Sequence, residues 1–347
     1  MSWSLSAEDI AQAERRLLRL GIQCTPLVHS SQLDQLIGCT IYFKAENLQK
    51  TGSFKARGAA NAASFYAKSA QVKGLVRSAF DFFQTRAQQV THSSGNHGQA
   101  LAWAARQCGL ACCVVTPKNT PAAKTLPIQA YGAQLRSCEP TVKSREEECV
   151  KVKEELGYVY VSPFDNPLVV AGQSTVGREL LRQFIETHPS HEEPDAVFVS
   201  IGGGGLAAGV ATALRYAGAK TKLFLCEPEG KQLKRQLVHE ALDEPERDVV
   251  LTMADGIRVR HVGNTNRTLL LDVCSPEDSV VTVSESEIEE AMHLIWTYTK
   301  QLAEPSSGVP LAALRKVMSA DKNRSGARIR HAVVVLCGGN VDVAMRK

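Results

Sequence analysis

Four consecutive glycines, Gly202, Gly203, Gly204 and Gly205, sit between an apolar run at 196–200 (AVFVS) and a run of small residues at 206–213 (LAAGVATA). A short β-branched and aromatic run reads as a buried strand and the alanine-rich run as a helix, so the glycines make a tight strand-to-helix turn. Such a unit belongs to parallel α/β layers, where each strand is followed by a helix that crosses back over the sheet. Further apolar runs at 40–44, 111–116, 157–161, 222–226 and 332–336 supply candidate strands, and periodic stretches at 94–107, 174–187 and 286–302 supply candidate helices. The last helix follows Ser284 and Glu287, spaced as in a capping box. With 347 residues, 44% of them hydrophobic, the chain can build two cores and therefore a cleft between two lobes. The segment 71–89 fits this scheme poorly: Phe80, Phe82 and Phe83 stand among polar residues, and 86–89 is polar where a buried strand is expected before Thr91.

A glycine turn that opens a helix presents backbone N–H groups with no side chains in the way, which suits a phosphate. It is not a Walker loop, because no Gly-Lys-Ser/Thr follows. Gly202, Gly204 and Ala207, with Glu227 after the next strand, do overlap a dinucleotide fingerprint, so a nucleotide-binding dehydrogenase of the NAD type stands as an alternative. Far upstream, Lys55 lies in NLQKTGSFKARGA at 47–59, where a polar turn with Gly52 runs into a small-residue helix at 56–63. A helix N-terminus lowers a lysine pKa and favours the free amine that condenses with an aldehyde. Aldehyde-binding amine and phosphate-binding turn together describe a pocket for pyridoxal 5'-phosphate, with Ser53 as a nearby donor.

Two more segments point to the same cleft. THSSGNHGQA at 91–100 sets hydroxyls, an amide and two imidazoles just before a helix, a place for a substrate carboxylate. Ser94 and His97 could also be read as nucleophile and base of a hydrolase, but the G-x-S-x-G elbow and an acidic orienter are missing. Cys337 ends the run 332–336, and ligands in doubly wound sheets lie at the carboxyl ends of strands. A thiol beside a pyridine nitrogen cannot hold it protonated as a carboxylate would, which suits loss of a β-substituent rather than transamination.

Charge and cysteine usage exclude other classes. The net charge of +4 comes without a block of like charges, so no nucleic-acid groove is expected, and Lys322, Arg324, Arg328 and Arg330 read as a solvated loop. No basic leader is visible and no apolar run approaches the ~20 residues a bilayer needs, so the expectation is a soluble, cytoplasmic protein without a membrane partner. Ten cysteines without a CxxC pair read as reduced core residues.

Together the motifs resemble the serine racemase and serine/threonine dehydratase family of fold-type II pyridoxal phosphate enzymes. The likeness runs through TGSFKARGA at 51–59, THSSGNHGQA at 91–100, IQAYGA at 128–133, AGQSTVG at 171–177, GGGGLAAG at 202–209, ADGI at 254–257, EPSSGV at 304–309 and LCGGNVD at 336–342. The resemblance implies an α/β, tryptophan synthase β-like fold of two domains with twisted, mostly parallel sheets flanked by helices. Residues 1–87 and 165–347 would form the large cofactor-binding domain, 88–164 the small mobile one, and two chains a homodimer. It implies β-elimination of water from L-serine or L-threonine to a keto acid and ammonia, with serine racemisation as a second activity; a decayed binding protein is a further alternative.

By that resemblance Lys55 carries the cofactor and acts as base on one face, and Ser94 faces the other side of the substrate α-carbon. Asn96 would bond the cofactor's phenolic oxygen, Gly202 to Gly205 with Leu206 its phosphate, and Cys337 its ring nitrogen. Ser93, Asn96, His97 and Arg145 match positions that contact the substrate carboxylate. Ser30, Ser31, Lys50, Thr51, Gln99, Lys124, Tyr131, Lys300 and Asn340 match a nucleotide site, implying activation by ATP. Glu227 opens the family's divalent-cation site, implying Mg2+, although Leu233 stands at its second carboxylate. Val259 replaces a substrate-contacting serine of the racemase branch, Phe164 in 162–167 looks like dehydratases, and TVKS at 141–144 differs from the serine cluster of aspartate racemases.

Overall fold

A computed structural model describes residues 4–73, 88–93, 95–188, 193–242, 249–321 and 329–341. Its strands are β1 (Leu27–His29), β2 (Thr40–Ala45), β3 (Gln89–His92), β4 (Cys112–Pro117), β5 (Gln134–Cys138), β6 (Val159–Tyr160), β7 (Ala196–Ser200), β8 (Lys222–Pro228), β9 (Val280–Val283) and β10 (His331–Leu336). They form a six-stranded sheet in the order β1-β2-β10-β7-β8-β9 and a four-stranded sheet in the order β5-β4-β3-β6. Only the β1–β2 pair is antiparallel. The parallel α/β class expected from the glycine turn is the class observed.

Period-two alternation explains why the large sheet needs helices on both faces. Tyr42, Val197, Val199, Leu223, Leu225, Val333 and Val335 point to one core, shared with helices Pro167–Thr187 and Gly205–Ala217. Ile41, Phe43, Phe198, Phe224, Val334 and Leu336 point to the other, against helices Glu285–Thr299 and Pro305–Asp321. The capping box at Ser284 and Glu287 is formed. All four strands of the smaller sheet fall between Gln89 and Tyr160. All ten cysteines are free, and among the described residues no helix is long and apolar enough to cross a membrane.

Register places the chemistry on one edge. Leu336 stands beside Ala45, and Ser200 beside Cys226, in parallel ladders. The segments leaving β2, β10, β7 and β8, which carry Lys55, Cys337, the four glycines and Glu227, therefore emerge along the same carboxyl edge.

Several elements differ from expectation. Strand β9 (VVTV) is a short apolar run outside the expected set, and β1, β3 and β5 lack a clear apolar run: β3 is central in its sheet yet carries Gln89 and Thr91, both fully buried. The helix expected at 174–187 begins seven residues earlier, at Pro167, where Asn166 caps it. Most of the odd segment at 71–89, the basic residues Lys322, Arg324 and Arg328, and parts of the polar connectors at 188–194 and 240–247 lie outside the described residues.

The helix Lys55–Lys73 is held by close backbone approach to helix Pro167–Thr187. A Cβ on Gly172 would stand 2.6 Å from the Arg57 carbonyl oxygen and 2.6 Å from the Gly58 Cα. Gly172→Ala is therefore expected to cost about 1–3 kcal/mol in urea denaturation, because neither backbone can withdraw. An unchanged unfolding midpoint would contradict this crossing.

Candidate active site

Lys55 is the first residue of its helix, and two backbone contacts fix where that helix starts. The Phe54 N–H donates to the Cys337 carbonyl at 3.0 Å, and Ser53 makes an antiparallel bridge with Gly338. The lysine is thus laid against the end of β10. Its Nζ donates to the Pro163 carbonyl at 2.7 Å. Burial lowers its pKa to about 8, against the raising influence of Cys337 and Glu304. The residue after Pro163 bears on the glycine turn: a Cβ on Gly203 would lie 2.1 Å from the Phe164 ring, and one on Gly205 2.8 Å from the Phe164 carbonyl oxygen. A single chain of contacts therefore joins the amine to the glycines.

The glycine turn is as bare as the sequence suggested. Gly204 adopts φ +91 and caps helix Gly205–Ala217 with no side-chain hydrogen bond, so the first-turn amides have no side-chain acceptor. Asn266 donates to the Gly203 carbonyl at 2.8 Å and to that of Phe164 at 3.0 Å, and the Gly263 N–H reaches the Gly203 carbonyl at 3.1 Å. Leu206 is buried behind the turn.

Cys337 is buried, with Ser307 Oγ 3.5 Å from its sulfur. Burial and then Glu304 push the thiol up to about 12, so it is neutral near pH 7.

Glu304 is the residue that sequence reasoning missed; it stood in the EPSSGV motif without a role. Its carboxylate accepts from Asn96 Nδ2 at 2.9 and 3.0 Å and from the Asn340 N–H at 3.2 Å. A Cβ on Gly338 would stand 2.7 Å, and one on Gly256 3.0 Å, from its oxygens. Burial raises its pKa to about 7, opposed by the Asn96 bond. Glycines from two other motifs, ADGI and LCGG, flank this glutamate in space, which its own sequence neighbourhood does not signal.

Asn96 opens helix Asn96–Gln107, and its Oδ1 accepts from Asn340 Nδ2 at 2.8 Å. His97 is buried, with Nε2 3.2 Å from the Val161 carbonyl; burial, then the Lys55 charge, lowers its pKa to about 3. A Cβ on Gly98 would lie 2.0 Å from the Ser93 carbonyl oxygen, so glycine is required for Ser93 to lie this close to the helix. Ser94 lies outside the described residues. Arg145 bonds the Thr141 carbonyl through Nε, and its charge, after burial, lowers His92 to about 4. His92 Nε2 lies 2.6 Å from the Tyr160 hydroxyl, a pairing the sequence did not signal.

The residues that match a nucleotide site by resemblance are spread over several elements. Asn340 Nδ2 reaches the Thr51 carbonyl at 2.8 Å, which ties these two to Asn96. Lys50 lies in the same short turn as Thr51, and Gln99 is buried in the helix of Asn96. Lys124 pairs with Asp255 at 2.5 Å, Lys300 bonds the Thr297 carbonyl, Tyr131 caps helix Ala122–Ala130, and Ser30 and Ser31 open helix Ser31–Ile37.

Glu227 accepts from the Leu233 N–H and from Thr282 Oγ1, each at 2.8 Å. Among the described residues no group of three His, Cys, Asp or Glu side chains could hold a metal. With Leu at 233 and the buried ammonium of Lys231 acting on this carboxylate, the residues present do not fit a divalent cation.

They do fit pyridoxal phosphate. Among the described residues Ser53 Oγ, Thr51 Oγ1, His97 Nδ1 and Ser306 Oγ are buried with no partner, the helix start at Gly205 has no side-chain cap, and the half-buried Lys55 amine rests on the Pro163 carbonyl. Groups left so would each cost about 1–3 kcal/mol unless a ligand used them.

The depressed Lys55 gives a prediction. The free amine is the reactive form, so uptake of pyridoxal phosphate by the apoprotein should speed up with pH around a midpoint near 8. Stopped-flow absorbance measures this, and a midpoint above about 10, as for an ordinary lysine, would contradict the geometry.

Comparison with known proteins agrees with this chemistry. The family described as "Pyridoxal-phosphate dependent enzyme" matches residues 18–338. Serine racemase of Homo sapiens is 37% identical over 98% of this chain and 93% of its own. The L-threonine ammonia-lyase of Geobacter sulfurreducens is 35% identical over 96% of this chain and 75% of its own. The crystal structure of a pyridoxal 5'-phosphate-dependent aspartate racemase superposes with a TM-score of 0.85 at 36% identity, covering 99% of this chain and 98% of that one. The dinucleotide reading of the glycine turn finds no support in these matches. Glycine turn, half-buried lysine and near-full-length likeness converge: the chain belongs to the pyridoxal-phosphate dependent enzyme family.

Proposed function

We propose that the protein removes water from L-serine, and from L-threonine, to give a keto acid and ammonia, and that it also racemises serine. The observation that carries this reading is the Lys55 amine on the Pro163 carbonyl, joined through Phe164 to the uncapped, glycine-lined helix start at Gly203 to Gly205. Relatives named serine racemase and L-threonine ammonia-lyase, matched over nearly the whole chain, support the two reactions. Bound pyridoxal phosphate supplies an electron sink for the charge that develops at the substrate α-carbon.

The chain's own residues do the rest. Gly202, Gly203, Gly204, Gly205 and Leu206 hold the phosphate with backbone amides. Lys55 would hold the cofactor, and its amine would move the substrate α-proton. Cys337 would hold the ring nitrogen, and a neutral thiol there would suit loss of a β-hydroxyl rather than transamination. Ser93, Asn96, His97 and Arg145 bind the substrate carboxylate, and Glu304 orients the Asn96 amide. Ser94 is the second base, on the opposite face from Lys55, that racemisation requires.

The reading extends to regulation and assembly. Residues 88–164 form a small domain that closes on a large one made of 1–87 and 165–347. ATP activates by binding Ser30, Ser31, Lys50, Thr51, Gln99, Lys124, Tyr131, Lys300 and Asn340, and the enzyme works as a homodimer in the cytoplasm. Bonds from Asn340 to Thr51 and to Asn96 support a link between nucleotide and substrate sites.

The test is incubation with L-serine, following pyruvate and D-serine in parallel with and without ATP. Both products are expected, and Lys55→Ala should abolish both. Ser94→Ala should reduce D-serine formation by about 10²–10⁴-fold while elimination is at least partly kept. Equal loss of both would remove Ser94 as second base, and absence of both products in the parent protein would end the functional reading.

A further inference from the structure

Lys231 is among the largest fully buried side chains, and nothing in the proposed reaction uses it. Among the described residues the other fully buried lysine, Lys44, is conventional: its Nζ meets the Glu179 carboxylate at 2.8 Å. Lys231 instead gathers backbone oxygens. Its Nζ donates to the Val259 carbonyl at 2.6 Å and to the Arg260 carbonyl at 3.1 Å. Gln236 completes the knot, donating to the Arg260 carbonyl at 2.9 Å and to that of Lys231 itself at 2.6 Å, and accepting from the Val262 N–H at 3.1 Å.

Those oxygens belong to the segment that walls the glycine turn. Ile257 stands 3.1 Å from where a Cβ on Gly202 would be, Val262 2.9 Å from one on Gly204, and the Gly263 N–H bonds the Gly203 carbonyl. Convergent carbonyl oxygens near one carboxylate, Glu227, are what a hard cation recruits. Here the positive charge arrives on a side chain. A divalent ion would need six or more oxygens. Leu233 has no side-chain oxygen and its N–H is already given to Glu227, and the buried Arg260 adds a further positive charge.

The geometry points to Lys231 as a positioning residue that serves as a tethered cation: its ammonium collects the Val259 and Arg260 carbonyls beside Glu227 and sets the wall of the phosphate cradle, so that this enzyme needs no divalent ion. The inference rests on residues 202–206 being that cradle. Metal content and unfolding temperature test it independently of the reaction catalysed.

The experiment compares purified holoenzyme before and after EDTA, and with millimolar Mg2+ added, by metal analysis, thermal unfolding and cofactor release followed by absorbance. The wild type is expected to carry no stoichiometric metal and to keep its unfolding temperature within about 1 °C throughout. Lys231→Ala should unfold at least about 4 °C lower and release cofactor about tenfold faster, and millimolar Mg2+ or Ca2+ should recover part of both losses by entering the vacated oxygen site. Lys231→Met, which fills the space without charge, should show the losses without the recovery. A wild type that loses stability in EDTA and regains it with Mg2+ would overturn the inference, as would a Lys231→Ala protein that is unaltered or that gains nothing from either ion. Should Lys231→Ala fail to fold, the chelator comparison on the wild type and the Lys231→Met protein still decide the matter.

Discussion

The site depends on one short backbone junction. Phe54 N–H to Cys337 carbonyl, with the Ser53–Gly338 bridge, welds a turn from the beginning of the chain to the end of its last described strand. That weld sets the amine of Lys55 and the thiol of Cys337 into one pocket although 282 positions separate them in sequence. Because β10 lies between β2 and β7, the same junction also delivers the glycine turn that follows β7. The chemistry of the pocket is a consequence of strand order.

A second constraint keeps the junction stiff. Arg57, two residues beyond Lys55, is fully buried and donates to Glu46 and Glu179, which also hold it to helix Pro167–Thr187. Burial alone would lower its pKa, but the two carboxylates outweigh that and hold it raised. Breaking such a buried pair on one side commonly costs about 3–5 kcal/mol, because a charge is left unpaired. The contrast with the pocket is instructive. Arg57 is saturated with partners, whereas Lys55 has a carbonyl and no carboxylate within the bonds observed, so its amine is the cheaper one to neutralise.

Much of this was legible in the sequence, for physical reasons. The run 196–200 followed by Gly202 to Gly205 could be little else than a strand-turn-helix unit, and Lys55 on a polar turn before small residues announced an amine near a helix start. β3 was expected before Thr91 from the order of elements and not from its own residues: a central strand that buries Gln89 and Thr91 defies the apolar pattern. Glu304 was hidden for a different reason. Its burial comes from Gly256 and Gly338, remote glycines whose missing Cβ atoms make room for it, and no local pattern encodes that. Lys231 escaped likewise, because a lysine in a run of polar residues reads as solvated until its carbonyl partners are known.

The central claim is that the amine of Lys55 and the glycine turn share one pyridoxal phosphate. Borohydride reduction of the purified holoprotein, followed by proteolysis and mass mapping, tests it most directly. A phosphopyridoxyl label on the peptide that contains Lys55, and on no other lysine, is the predicted result; a label on a different lysine, or none on a protein that has been saturated with cofactor, would contradict it.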